Sequence, residues 1–300
     1  MTRERLIDVD TQLGIEQIHA LEDGVGSHVS IVWHGFDSVN RFYHWNYLLK
    51  YGQLVRAGLP GHGPVREVRW SRCKHWSVEH LTETARVLCQ RYRSETPLTL
   101  VGHSTGAHVA LCAAISAPEL VGRLILVNPL VWSPMTAIVR LIARTWFWRW
   151  IATAALVPGI KRKRRSINSF LEGLRPIIGD TEGFFGNSNT VEYTRAGHDD
   201  YKRSSLAAIL STARICSTFD LRGALKSTQL TAPVLIVHGQ EDRVSPIEQA
   251  EWLGERLPRA TLVRLPRVGH LSYAEREREF GDLVTMWLDR HLGRAENVLV

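Results

Sequence analysis

A chain of 300 residues that is 44% apolar and 22% charged can bury a sizeable core, which excludes an intrinsically disordered chain and fits one large α/β domain or a domain with an insertion. It holds no uncharged apolar run of about 18 residues, and its start, MTRERLIDVD, lacks the apolar centre of a signal peptide, so a cytoplasmic protein is expected. The net charge of +7 fits a nucleic-acid partner, an anionic membrane, or simply a soluble basic protein, so its placement along the chain matters more than its total.

In chain order, Ile7 and Val9, then Leu13, Ile15 and Ile18, have the pattern of an antiparallel hairpin at a sheet edge. Val29–Trp33 is a continuous apolar strand that runs into His34-Gly35-Phe36-Asp37-Ser38. Phe42, Trp45 and Leu48 or Leu49 then recur at helical spacing, which predicts a helix over 40–50. Residues 34–38 thus form a loop at the C-terminal end of a strand, where ligand sites of open parallel sheets gather. Gln53–Ala57 is a further strand before the turn Gly58–Pro64, and Val78–Tyr92 is an amphipathic helix with Leu81, Ala85, Leu88, Cys89 and Tyr92 on one side. Cys73, Cys89, Cys112 and Cys216 have no CxxC or CxxxC spacing, as expected of reduced thiols rather than disulfide partners or zinc ligands.

The run Leu98–Ser116 combines an apolar strand, the turn Gly102-His103-Ser104-Thr105-Gly106 and a helix of small and apolar residues. A serine in so tight a strand-to-helix turn is strained, and the positions two before and two after it accept only small side chains. The same turn aims the Thr105 N–H, at the positive end of the helix, towards an oxyanion forming beside Ser104. Gly-x-Ser-x-Gly also arises by chance, so the remainder of the chain decides its meaning.

After a strand at Val121–Val127 the alternation of strand and helix stops, resuming at the Ala232–Gly239 strand, the Ile247–Arg256 helix, the Ala260–Leu265 strand and a closing helix over Glu275–Leu292. The expected fold is α/β, a mostly parallel central sheet with helices on both faces. Residues 1–130 and 230–300 form its core, and 131–229 an inserted helical cap. A serine nucleophile needs a base, and the base an orienting acid. Asp242, in the loop after the 232–239 strand, and His270, in the loop after the last strand, lie at the same sheet edge as Ser104. Glu241 is the competing acid, and both carboxylates could simply be solvated; the spacing favours Asp242.

With these motifs the chain resembles the α/β-hydrolase fold family, of the capped esterase, lipase and thioesterase-like kind, over 29–63, 98–129 and 232–292. The resemblance implies a second oxyanion donor at the Phe36 N–H within His34-Gly35-Phe36, the acid Asp242 within the Gly239–Pro246 motif, and the base His270 after Gly269. Gly58 stands where relatives often carry Asp, and no acid occupies Asn128, where some relatives place it. The expected chemistry is attack by Ser104 on the carbonyl of a small-molecule acyl substrate, with Phe36 and Thr105 N–H groups holding the oxyanion. No cofactor is expected. The 13 histidines include no HExxH and no Cys/His ligand spacing, so no metal is expected either.

The most biased stretch is Thr136–Arg165, where Trp146, Phe147, Trp148 and Trp150 are interleaved with arginines and followed, beyond a break at Pro158-Gly159, by the basic run Lys161–Arg165. One reading places Trp146 and Trp150 over the substrate and the Trp146–Arg165 region on an anionic membrane, as suits a lipid-like ester in a protein peripheral to the membrane. The other has the aromatics packing the insertion onto the core and the basic run facing solvent. No nucleic-acid partner is expected, since no basic and aromatic surface module accompanies the run. The leading function is hydrolysis of a carboxylic ester of a hydrophobic acyl group. Thioester hydrolysis, acyl transfer and carbon–carbon bond hydrolysis use the same residues, and a non-catalytic binding or signalling protein is the third class.

Overall fold

The computed structural model describes residues 2–11, 14–65, 77–133 and 146–293, with the side chains of 11, 14–16 and 146–154 excepted. Eight strands form one sheet: β1 (Arg3–Thr11), β2 (Gly14–Asp23), β3 (Val29–Trp33), β4 (Gln53–Ala57), β5 (Leu98–His103), β6 (Val121–Val127), β7 (Val234–Gly239) and β8 (Ala260–Leu265), in the order β1-β2-β4-β3-β5-β6-β7-β8. β1 and β2 form the expected antiparallel hairpin at one edge and join β4 antiparallel. The neighbours from β4 through β8 are parallel.

The strands from β3 to β7 are apolar runs because both of their faces are covered. Side chains alternate across a strand, so Ile31, Leu100, Leu124 and Ile236 enter one core while Val32, Val101, Ile125 and Leu235 enter the other. The first core is closed by α1 (Val78–Arg91), α2 (Thr105–Ser116) and α9 (Ile247–Arg256). The second is closed by α11 (Glu277–His291), by aromatic residues of 42–51, and by helices inserted between β6 and β7. The inserted helices are α3 (Trp146–Arg165), α4 (Ile167–Leu174), α5 (Thr181–Gly186), α6 (Ser188–Arg203), α7 (Leu206–Thr218) and α8 (Arg222–Ser227); of these, α8 through Leu225 and the end of α7 through Ile215 pack into the first core.

Three expected elements differ. The segment 40–50 forms two short 3-10 turns, Asn40–Phe42 and Asn46–Lys50, instead of one helix. Asn40 uses its side-chain amide to bridge the carbonyls of His19 and Arg56, and the aromatics divide: Phe42 packs on Phe170 of the insertion, Trp45 on Phe280 of α11. The closing helix begins earlier and is interrupted, with α10 (Ser272–Glu275) separated from α11 by Arg276 at φ −130° and ψ 53°. Finally, α3 runs through Pro158 to Arg165 rather than breaking there. Proline removes one helical N–H and disturbs the preceding turn, but buried Ile160 and the contacts of Lys163 and Arg164 fasten the turns beyond it.

From β3 the chain moves outward to β4 and then returns past β3 to β5. This reversal opens a crevice at the C-terminal ends of β3 and β5, the place where open α/β sheets take ligands.

Candidate functional site

Two loops rim that crevice. After β5, Ser104 sits at φ 53° and ψ −116°, a conformation rare for any residue with a Cβ, directly before the first turn of α2. Its N–H donates to Val127 O at 2.9 Å, which ties the turn to β6. The flanking glycines are required by close approach: a Cβ on Gly102 would lie 2.2 Å from Gly106 O, and one on Gly106 would lie 2.2 Å from Trp33 O. After β3, His34 donates from Nδ1–H to Gly35 O at 2.8 Å and accepts the Leu59 N–H on Nε2 at 2.9 Å. Burial, followed by the neighbouring His62, holds its pKa well below the ordinary value, so the ring is neutral and this tautomer is fixed. In a trans peptide the carbonyl and the next N–H point oppositely, so the Phe36 N–H points away from the side on which His34 holds Gly35 O. Neither the Phe36 nor the Thr105 N–H is bonded to another described residue.

Asp242 and His270 come from the loops after β7 and β8. The His270 Nδ1–H donates to Asp242 Oδ2 at 2.7 Å, which leaves Nε2 with its lone pair. Asp242 also accepts the Asn128 side-chain amide at 2.7 Å and the N–H groups of Val244 and Ser245 at 2.7 and 2.9 Å. Burial by itself would raise its pKa; the attraction and hydrogen bond of His270, with the two N–H donors, outweigh this and hold it at about 2. Glu241 makes no such contacts among the described residues. Asn128, at φ 44° after β6, is thus a donor to the carboxylate from the position where some relatives carry the acid itself.

The loops are joined beneath the crevice. The Gly35 N–H donates to the Tyr43 hydroxyl at 3.0 Å, that hydroxyl donates to His103 Nδ1 at 2.8 Å, and His103 Nε2–H donates to the His270 carbonyl at 2.8 Å. Burial, then the nearby His270, pushes the His103 pKa down to about 3, keeping it neutral in this relay. Sequence reasoning missed Tyr43, His103 and Asn128 as site residues. Only Asn128, following a strand and preceding Pro129, carried a positional signal.

Ser104 and His270 line one cavity of about 290 Å³, walled by Phe36, Tyr43 and Tyr273 from the core and by Phe170, Ile177 and Phe184 from the insertion. Among the described residues no hydrogen bond joins the Ser104 hydroxyl to His270. One wall carries an ion pair: Lys163 Nζ donates to Asp37 Oδ2 at 2.8 Å, and Tyr201 donates to Asp37 Oδ1 at 2.7 Å. Of the basic run, Lys163 is therefore spent on Asp37 and Arg164 on the Ser204 carbonyl, while Lys161, Arg162 and Arg165 are exposed. The expectation that Trp146 and Trp150 contact substrate concerns side chains outside the described residues, as does the structure of 136–145 and of Cys73. No described helix is long and apolar enough to cross a membrane.

Residues 27–283 match the model of the alpha/beta hydrolase family. The chain is 28% identical over 230 residues to the pimeloyl-[acyl-carrier protein] methyl ester esterase of Nitrosomonas europaea, covering 76% of this chain and 82% of that one. It is 28% identical over 193 residues to the 2-hydroxymuconate semialdehyde hydrolase of Pseudomonas putida, covering 63% of this chain and 61% of that one. A thermophilic esterase from Thermogutta terrifontis superposes with a TM-score of 0.72 at 20% identity, over 96% of this chain and 99% of the other, a likeness of fold.

Proposed function

The chain belongs to the alpha/beta hydrolase family, and on that premise we propose that it is a serine hydrolase that cleaves a carboxylic ester of a compact apolar acyl group through an acyl-enzyme at Ser104. The observation that carries this reading is the strained Ser104 turn facing the Asp242-bound imidazole of His270 across one apolar cavity. His270 Nε2 takes the Ser104 proton as Oγ bonds to the acyl carbon. The Phe36 and Thr105 N–H groups receive the oxyanion, and the imidazolium, held by Asp242, returns the proton to the leaving alkoxide. Water repeats the sequence to release the acid. The missing Ser104–His270 hydrogen bond closes in the substrate complex, as is common for sites that tighten around their reactants. The inserted helices act as the cap, supplying one wall of the acyl pocket.

A cavity of about 290 Å³ lies at the small end of the range for small-molecule pockets. That favours short and medium acyl chains over the long chain of a membrane lipid. Labelling with a fluorophosphonate and hydrolysis of p-nitrophenyl esters test the reading: wild type reacts, and Ser104→Ala loses both. Equal labelling of the two proteins would sink the nucleophile assignment.

A second reading, the same chemistry on an acyl methyl ester presented by an acidic carrier protein, is favoured by the likeness to the carrier-protein ester esterase and by exposed Lys161, Arg162 and Arg165. The same residues support a peripheral contact with anionic membrane. Flotation with anionic liposomes at low salt, beside assays of carrier-linked against free methyl esters, separates these partners.

A further inference from the structure

A second buried carboxylate lies behind the proposed base. Glu275 is 2% exposed and, among the described residues, makes no hydrogen bond to Ser104 or Asp242. Its Oε2 accepts the N–H groups of Gly269 at 2.9 Å, Gly179 at 2.9 Å and Asp180 at 2.7 Å, and its Oε1 accepts that of Leu271 at 3.0 Å. The intervening N–H, that of His270, donates to Ile177 O at 2.8 Å. The residues on both sides of His270 are therefore bonded to one carboxylate, and that carboxylate is bonded in turn to the inserted segment.

Contact between the two segments is at the limit of backbone approach. A Cβ on Gly179 would lie 2.6 Å from Gly269 N, and one on Gly269 would lie 2.5 Å from Gly179 N. Next to Glu275, Arg276 Nε reaches Asp180 Oδ2 at 2.8 Å, a second tie to the insertion from the residue between α10 and α11. A carboxylate suits this place because it offers only acceptors, about four lone-pair sites, to a group of N–H donors.

We propose that Glu275 is a positioning residue for His270, and that by binding Gly269, Leu271, Gly179 and Asp180 together it makes the seated insertion a condition for the alignment of the base. The inference rests on the Ser104–His270–Asp242 reading. Glutamine at 275 keeps the shape but turns an NH2 group towards N–H donors. It therefore loosens the His270 loop, and with it the alignment of the Asp242 pair, without altering a residue that lines the cavity.

The test compares Glu275→Gln with wild type in p-nitrophenyl butyrate hydrolysis, per serine titrated by fluorophosphonate, together with the downfield proton resonance of the His270 Nδ1–H. A displacement on the order of 1 Å can lower turnover about 100-fold, so kcat is expected to fall about 10- to 100-fold with KM little changed, and the resonance to broaden or move. Gly179→Ala, which keeps Glu275 but wedges the inserted segment off Gly269, is expected to act in the same direction and carries the test should Glu275→Gln not fold. A folded Glu275→Gln protein with wild-type kcat and an unmoved resonance, even with a lowered melting temperature, overturns the proposal. If Ser104→Ala retained full hydrolysis, the underlying triad reading would fail instead, a result separable from the first.

Discussion

Asp242 gathers donors from three parts of the chain: His270, the Asn128 amide, and the N–H groups of Val244 and Ser245. A carboxylate whose pKa falls from an ordinary 3.8 to about 2 on folding adds stability that is present above the unfolded value and is lost as pH falls through the folded one. Urea denaturation should therefore show wild type losing, relative to Asp242→Asn, about 2 kcal/mol of stability between roughly pH 4 and pH 2. At neutral pH Asp242→Asn should also lower kcat by several orders of magnitude, through the wrong imidazole tautomer. Tyr43→Phe would leave the buried Gly35 N–H and His103 Nδ1 without their shared hydroxyl, at about 1–3 kcal/mol for each unpaired group; a urea midpoint equal to wild type would contradict the relay. The reading of Ser104, Asp242 and His270 rested on each following a strand at a motif spacing, and the structure pairs His270 with Asp242. Asn128 was passed over because a neutral amide reads as the absence of an acid, and nothing local tells that it will meet a carboxylate 114 residues away.

At the scale of elements, the strands of the sheet were legible because their apolar runs have a single reading, whereas segments with divided loyalties were not. The 40–50 segment has helical spacing, yet its aromatics serve the sheet, the insertion and α11, and the resulting directions do not fit one helix face. α3 carries four basic residues in its last turn, which suits the negative end of a helix dipole and accounts for part of the basic run without any partner. Lys163 is the exception with a consequence for the site, since it fastens α3 to Asp37, one residue beyond Phe36. Asp37 holds φ at 54°, which asparagine tolerates, so Asp37→Asn removes the charge while preserving the backbone. The expected outcome is a loss of about 1–2 kcal/mol in unfolding free energy, for a partly buried charge-assisted bond. KM for esters should rise as the cavity wall loosens. Steady-state kinetics with KM unchanged would show that the ion pair does not hold that wall.

For the whole molecule, the small cavity beside Ser104 and His270 is the proposed acyl pocket. Turnover of p-nitrophenyl esters should fall as the acyl chain lengthens from butyrate to palmitate. Palmitate processed as readily as butyrate would show that the inserted helices open well beyond their present seat. The mostly parallel sheet, with the loops of the site at its C-terminal edge, followed from alternation of strand and helix; the order of the strands did not. The seating of the insertion did not, because it depends on contacts between residues distant in sequence, such as Glu275 with Gly179.

The root of the insertion is narrow. Trp132 and Asp220 form an antiparallel bridge, Ser133 N–H donates to Phe219 O at 2.9 Å, Leu221 N–H donates to Val131 O at 3.0 Å, and Gln249 of α9 accepts the N–H groups of both Val131 and Trp132. Such a stapled neck holds the two ends of the insertion together at the sheet. A graft between relatives made at this neck should carry substrate range with it while the sheet keeps its register. The graft must also bring a loop that offers its backbone to Glu275, so the recipient's base sets a docking requirement on any donor.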